Sequence, residues 1–170
     1  MAQYTDARRQ FIETTGDMME EHGLPHMAGR VFAALQICKP PYLSMDELAE
    51  ELQASKGAIS MATRVLLQAE VIEKLSLPGH RRRYYRVRPG VWMSLFAHRT
   101  EHLHRHRELA SLGMAALDGE PVEAKERLLE MIVFFDFVEE EMPRWIERWN
   151  ERYPQLRAAR VEETGGGSSC

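Results

Sequence analysis

Apolar residues return every three or four positions along most of this chain, and the places where that rhythm fails are its turns. Residues 4 to 22 carry Phe11, Ile12, Thr15, Met18 and Met19 at helical spacing. Gly23 ends that run, and Pro25 opens the next helix, where a missing N–H costs nothing. From Met27 to Cys38 the residues Val31, Leu35 and Cys38 share one face, and Pro40-Pro41 stops it. Ser44-Met45-Asp46-Glu47 has the form of a capping box and starts a short acidic helix, Met45 to Leu52. After the tight connection Gln53-Ala54 comes a helix from Ser55 to Gln68. It turns Ala58, Ile59, Ala62, Val65 and Leu66 inward and Lys56, Ser60, Met61, Thr63 and Arg64 outward. The period then changes. Val71–Leu75 and Tyr84–Val87 are β-rich runs on either side of the turn signal Pro78-Gly79, so they pair as a hairpin that Pro89-Gly90 closes.

Beyond the hairpin the chain is helical again. Trp92 to Leu117 keeps Trp92, Phe96, Leu103, Ala110 and Leu117 near one face, and Asp118-Gly119-Glu120-Pro121 breaks it. Leu128, Met131, Phe135, Val138, Met142, Trp145 and Trp149 then alternate spacings of 3 and 4, the pattern of a coiled-coil seam. Such a seam suits contact with a second chain, the preferred reading, or packing on this chain's own helices. Pro143 falls inside it and is expected to kink or split the helix. The tail from Thr164 to Cys170 has the composition of a flexible linker.

Composition changes this picture little; charge changes it more. At 170 residues and 44% hydrophobic, the chain can bury a real core as one folded domain with an appended helical arm. No apolar run approaches the roughly 20 residues of a membrane span. The N-terminus lacks the basic-then-apolar order of a secretion signal, and Cys38 and Cys170 offer no disulfide framework, so a cytoplasmic location is expected. The net charge of −4 suggests no polyanionic partner by itself. Residues 55 to 107, however, hold eleven Lys and Arg against Glu70, Glu73 and Glu101, so +8 there stands against −12 elsewhere. Positive charge gathered on one region of an acidic protein is the footprint of nucleic-acid contact. A helix pair whose second member starts with the small residues Ser55, Gly57 and Ala58, followed by a hairpin with Arg81, Arg82 and Arg83 at its turn, has the layout of a winged helix-turn-helix. The expected fold is mainly α with a small β-hairpin wing, and the expected partner is double-stranded DNA.

The order of parts resembles the MarR-type winged helix-turn-helix regulators, especially their GbsR-like branch. The residues that carry the likeness are Ser55 to Leu67, Val71 to Leu75 and Gly79 to Pro89. The chain is also similar to actinobacterial MarR-like repressors of lipid-transport and efflux genes. That likeness runs through Ala54, Ser55, Gly57, Ile59 and Ser60, and through Arg81, Arg82, Tyr84, Arg86, Arg88 and Pro89. The resemblance implies a homodimer on a pseudo-palindromic operator. It divides the chain into an N-terminal dimerisation helix (1–24), the DNA-binding domain (25–90), C-terminal dimerisation helices (91–155) and a flexible tail (156–170). Carried over by position, Ser55, Lys56, Gly57, Ser60, Thr63 and Arg64 face the major groove. Arg81, Arg82 and Arg83 form the wing tip. Many relatives place an acidic residue just before the wing arginines; here that place is His80, which is included among the DNA contacts and alters the wing's geometry or its response to pH. The family further implies a repressor released by a small apolar or amphipathic effector, for which Phe11, Met18, Met19, Leu95, Phe96 and Leu103 are suitable lining.

Other constellations are weaker. His98, His102 and His106 stand four residues apart, a spacing used for metal ligation on a helix. The plain reading is a weakly basic helix facing phosphate or histidines packed at an interface; a protonation-sensitive contact ranks above a metal site, and neither a metal nor a cofactor is expected. Cys38 reads as a buried small hydrophobe. No Gly-rich phosphate loop, nucleophile elbow or acid–base pair is present, so an enzyme is not expected. The alternative from another class is a dimeric protein-interaction module whose basic wing binds an acidic partner.

Overall fold

Helix α1, Asp6–Glu21, is laid against helix α2, His26–Ile37, and this pair opens the first of two units, which extends to Trp92. The computed structural model describes residues 6–79, 82–101 and 103–165, with side chains given for all of these except 97–104. Gly23 ends α1 in the left-handed region at φ +80, which brings its N–H to the Glu20 carbonyl (2.9 Å) and that of Leu24 to the Met19 carbonyl (3.0 Å). Pro25 then precedes the first residue of α2. The crossing of α1 and α2 is backbone against backbone. A Cβ at Gly29 would stand 2.6 Å from the Thr15 carbonyl oxygen and 2.7 Å from the Gly16 Cα, atoms that cannot swing aside. An alanine at 29 must push the helices apart, at about 1–3 kcal/mol for overpacking. That outweighs the roughly 1 kcal/mol of helix propensity it would gain.

After α2 the chain forms β1 (Leu43–Ser44), α3 (Met45–Glu51), α4 (Lys56–Gln68), β2 (Ile72–Ser76) and β3 (Arg83–Val87). The three strands make an antiparallel sheet in the order β1-β3-β2, with Ile72 opposite Val87, Ser76 opposite Arg83 and Leu43 opposite Tyr85. β1 was not anticipated, because two residues are too few to show alternation. The capping box is present: Ser44 Oγ accepts the Glu47 N–H at 3.3 Å and Glu47 accepts the Ser44 N–H at 2.7 Å. Val31, Phe32, Leu48, Ile59 and Leu66 are fully buried and form the centre of the core. Each contributes about 1.5–3 kcal/mol relative to exposure. Trp92 closes this unit edge-on against Phe32, with ring centroids 5.9 Å apart. Helix α1 packs in the same unit as the helix-turn-helix. Its buried residues Ile12, Thr15 and Gly16 require α2 beneath them.

The second unit runs from Met93. The stretch expected to be helical from Trp92 to Leu117 is helical on both sides of His102, which lies outside the described residues: α5 is Val91–Glu101 and α6 is Leu103–Ala116. α7 (Val122–Gly165) follows a turn at Gly119, φ +81. α6 and α7 run antiparallel: Gly113 meets Leu128, His106 stacks on Phe135 at 5.1 Å, and Arg107 Nε donates to Asp136 at 2.5 Å. Phe96 of α5 stacks on Trp145 of α7 at 6.1 Å. Leu128, Phe135 and Trp145 are seam positions, so part of the seam packs within the chain, while Trp145 and Trp149 keep exposed surface.

Two expectations bear on α7, a kink or split at Pro143 and a flexible tail from residue 156. Pro143 neither ends nor splits the helix, which continues through Pro154 as well. A proline removes one intrahelical hydrogen bond at about 3 kcal/mol, and good helix formers on both sides, with Arg144 paired to Glu140 and Glu141, carry the helix past it. The flexible tail expected from residue 156 is helical to Gly165, because Leu156, Arg157, Ala158, Ala159 and Arg160 all favour helix. Residues 166–170, including Cys170, lie outside the described residues. Among the described residues no helix is long and apolar enough to cross a membrane.

Candidate nucleic-acid interface

The helix-turn-helix is α3, a turn and α4. The turn bends through Gln53 at φ +49, and the Ala54 N–H reaches the Ala49 carbonyl at 3.0 Å. Ser55 then caps α4, its Oγ accepting the Ala58 N–H at 3.2 Å, and still has a hydroxyl proton to donate. Ile59, Ala62 and Leu66 lock one face of α4 into the core. Ser55, Lys56, Gly57 and Arg64 are exposed, as a surface for another polymer requires, and Ser60 is half-buried. Thr63 is not available. It is 2% exposed, and its hydroxyl donates to the Ile59 carbonyl at 2.9 Å, so its assignment to the major groove is wrong. A β-branched residue that bonds back to its own helix is a packing residue.

Lys56 is held by Asp46 of α3, with Nζ 2.5 Å from Oδ1. The hydrogen bond from Lys56 lowers the Asp46 pKa below the usual carboxylate range, and the charges of Lys56 and, more weakly, Arg82 act in the same direction. The wing and the start of α4 thus share one electrostatic environment around this carboxylate. Of the wing-tip residues, Arg82 and Arg83 are exposed, while His80 and Arg81 lie outside the described residues. Arg86 and Arg88 are occupied differently: Arg86 meets Glu73, its cross-strand partner, at 2.6 Å, and Arg88 meets Glu70 at 2.5 Å. Two of the eleven cations are therefore paired with glutamates that the +8 already counts, while Arg82 and Arg83 at the tip stay exposed.

The residues expected to line an effector pocket divide between the units. Phe11 and Met18 are exposed on α1 and Met19 is half-buried there; Leu95 (half-buried) and Phe96 (exposed) belong to α5, and the side chain of Leu103 is outside the described ones. Within the second unit a groove of about 250 Å³ is lined by Met93, Phe96, Trp145, Trp149, Leu156 and two arginines, Arg148 and Arg152. Only Phe96 of these was anticipated as lining; Met93 is its neighbour on α5, and the others come from α7, where Trp145 and Trp149 were read as seam and Leu156 as tail. The histidine row is represented by His106, since His98 and His102 lie outside the described side chains. Among the described residues no group of three His, Cys, Asp or Glu is placed to hold a metal ion. Cys38 is buried, its thiol donating to the Leu35 carbonyl at 3.4 Å, and burial raises its pKa, which disfavours the reactive thiolate.

Comparison with known proteins agrees with this geometry. Residues 22–83 match the MarR family, and residues 90–152 match a model described as MmpR5-like MarR family transcriptional regulator. The chain is 34% identical over 143 residues to the HTH-type transcriptional regulator MmpR5 of Mycobacterium tuberculosis, covering 84% of this chain and 87% of that one. It is 27% identical to the HTH-type transcriptional repressor OpcR of Bacillus subtilis, over 74% of this chain and 73% of that one. A crystal structure of a transcriptional regulator superimposes with a TM-score of 0.70 at 33% identity, covering 86% of this chain and 99% of its own.

Proposed function

The chain belongs to the MarR family of winged helix-turn-helix transcriptional regulators and is a DNA-binding regulator of transcription, and from that premise we propose a homodimeric repressor that places α4 in the major groove and its wing against the flanking backbone. The observation that carries this is the exposed α4 face, capped by Ser55 and set beside the exposed arginines of the wing tip. Its assignment to the GbsR-like branch rests on the residues of α4 and the wing. The repressor sense is supported by the likeness to OpcR, a repressor by name. An effector of apolar or amphipathic, anionic character suits the aromatic groove beneath Arg148 and Arg152. Such a ligand releases DNA only if it favours the DNA-incompetent state, since equal affinity for both states shifts nothing. The signature is loss of a mobility shift together with saturable thermal stabilisation of the free protein; stabilisation with unchanged DNA affinity counts against that ligand.

The roles within α4 are tested by binding-site selection with two variants. Lys56 is a point charge that can exchange its Asp46 partner for a phosphate, so Lys56→Ala is expected to lower affinity evenly across sequences. Arg64→Ala is expected to relax preference at one base position, by about 1–3 kcal/mol of discrimination. Wild-type affinity and preference in both variants would remove α4 from the reading role.

A further inference from the structure

At about 100° per residue, Gly57, Met61, Arg64 and Gln68 fall in one stripe of α4 directly opposite the buried Ile59, Ala62 and Leu66. All four are exposed. This stripe is rotated away from Lys56, Ser60 and Thr63, and its middle is apolar: Met61 is 69% exposed, the one large apolar side chain of α4 that faces outward. A single exposed hydrophobe is ordinary on a protein surface. The neighbours make this one different. One turn before it, Gly57 meets no packing need of the fold, since a Cβ there would touch only Ser55 Oγ at 3.8 Å. Even in this first turn glycine is a poorer helix former than alanine, by up to about 1 kcal/mol. One turn beyond Met61 lies Arg64, a long cation. The stripe therefore presents a hollow, an apolar projection and a guanidinium in succession along the axis that would follow the groove.

The apolar group that a major groove offers is the C5-methyl of thymine. An unbranched, polarisable thioether arm reaches and adapts to such a target better than a short or branched side chain. We infer that Met61 is a specificity-determining residue that packs on a thymine methyl in each half-site, with Gly57 giving the helix backbone clearance to approach. This rests on α4 occupying the major groove. Arg64 and Lys56 read or hold polar groups, and neither distinguishes a methyl from a hydrogen.

The test uses half-sites defined by selection with the full-length protein, in which each thymine is replaced in turn by uracil, deleting only the methyl. Wild-type protein is expected to lose about fourfold in affinity per half-site at one thymine position, the scale of one buried methyl. Met61→Leu retains that sensitivity, and Met61→Gln binds thymine and uracil DNA alike. Because Met61 is exposed, neither substitution threatens the fold. Sensitivity that persists in Met61→Gln overturns the inference by assigning the methyl to another side chain. Indifference of the wild type to uracil at every position overturns it too. In that case Arg64→Ala separates the two levels: relaxed preference leaves α4 in the groove without a methyl contact, whereas unchanged preference and affinity remove α4 from the groove altogether.

Discussion

Replacing Arg81, Arg82 and Arg83 together by alanine is expected to weaken DNA binding about a hundredfold or more at physiological salt and to flatten its salt dependence. Every phosphate that the protein ceases to neutralise lowers the log–log slope by about 0.9, and in the proposed dimer both wings are altered at once. The fold should survive. Arg82 and Arg83 are exposed at the end of the hairpin, whose ladder from Ile72–Val87 to Ser76–Arg83 is made by backbone groups that alanine keeps. Tyr84 and Tyr85, just beyond the tip, are buried and anchor β3 to the core. Arg86→Ala and Arg88→Ala provide the contrast. Their charges are already paired with Glu73 and Glu70, so each should change the slope less than a tip arginine does. Fluorescence anisotropy across a salt series, with circular dichroism to establish folding, reads both quantities. A folded triple variant with the wild-type slope would take the wing out of the interface.

Much of this arrangement was legible in the residues themselves. The capping box at Ser44, the small-residue start of α4 and the turn at Pro78-Gly79 are local signals, fixed by chemistry within a few positions, and each element they bound is present. What could not be read locally depended on neighbours distant in sequence. Gly29 looked like a weak spot in a helix until α1 was found pressed against it. The seam in α7 had the right period for another chain, but period alone does not say which helix meets each position, and Gly113, His106 and Phe96 meet three of them from within. Thr63 was a different kind of error. It was selected because its hydroxyl can bond phosphate, whereas its angle on the helix puts it beside Ile59 and Ala62. Choosing the outward face as the one opposite those two residues rejects Thr63 and keeps Met61, which the sequence placed outward but not among the DNA contacts.

Beside the partly packed seam, the surface offered to the second copy of the proposed dimer is the adjoining stripe of α7. Val133, Phe134 and Phe137 are each more than half exposed, and they border a groove of about 840 Å³ with Leu129 and Met131. Exposing so many large apolar groups to water is costly at about 25 cal/mol per Å², and exposed patches of this kind mark association sites. In a two-fold dimer a residue near the axis meets its own copy, so a charge placed there repels itself as well as removing apolar surface. The double variant Phe134→Glu, Phe137→Glu is therefore expected to be a folded monomer. Neither residue lies in the first unit, so the DNA-reading helix and wing keep their structure and their grip on a half-site. Operator affinity nonetheless should fall by about 10²–10⁴, the usual gain from joining two binding modules, because each lobe must now find its half-site independently. The two lobes should also bind without cooperativity, and affinity for an isolated half-site should remain close to that of the wild type. Sedimentation with matched operator and half-site titrations checks all three points. A variant that stays dimeric would move the interface elsewhere on the chain, and a monomer with full operator affinity would show that one lobe suffices.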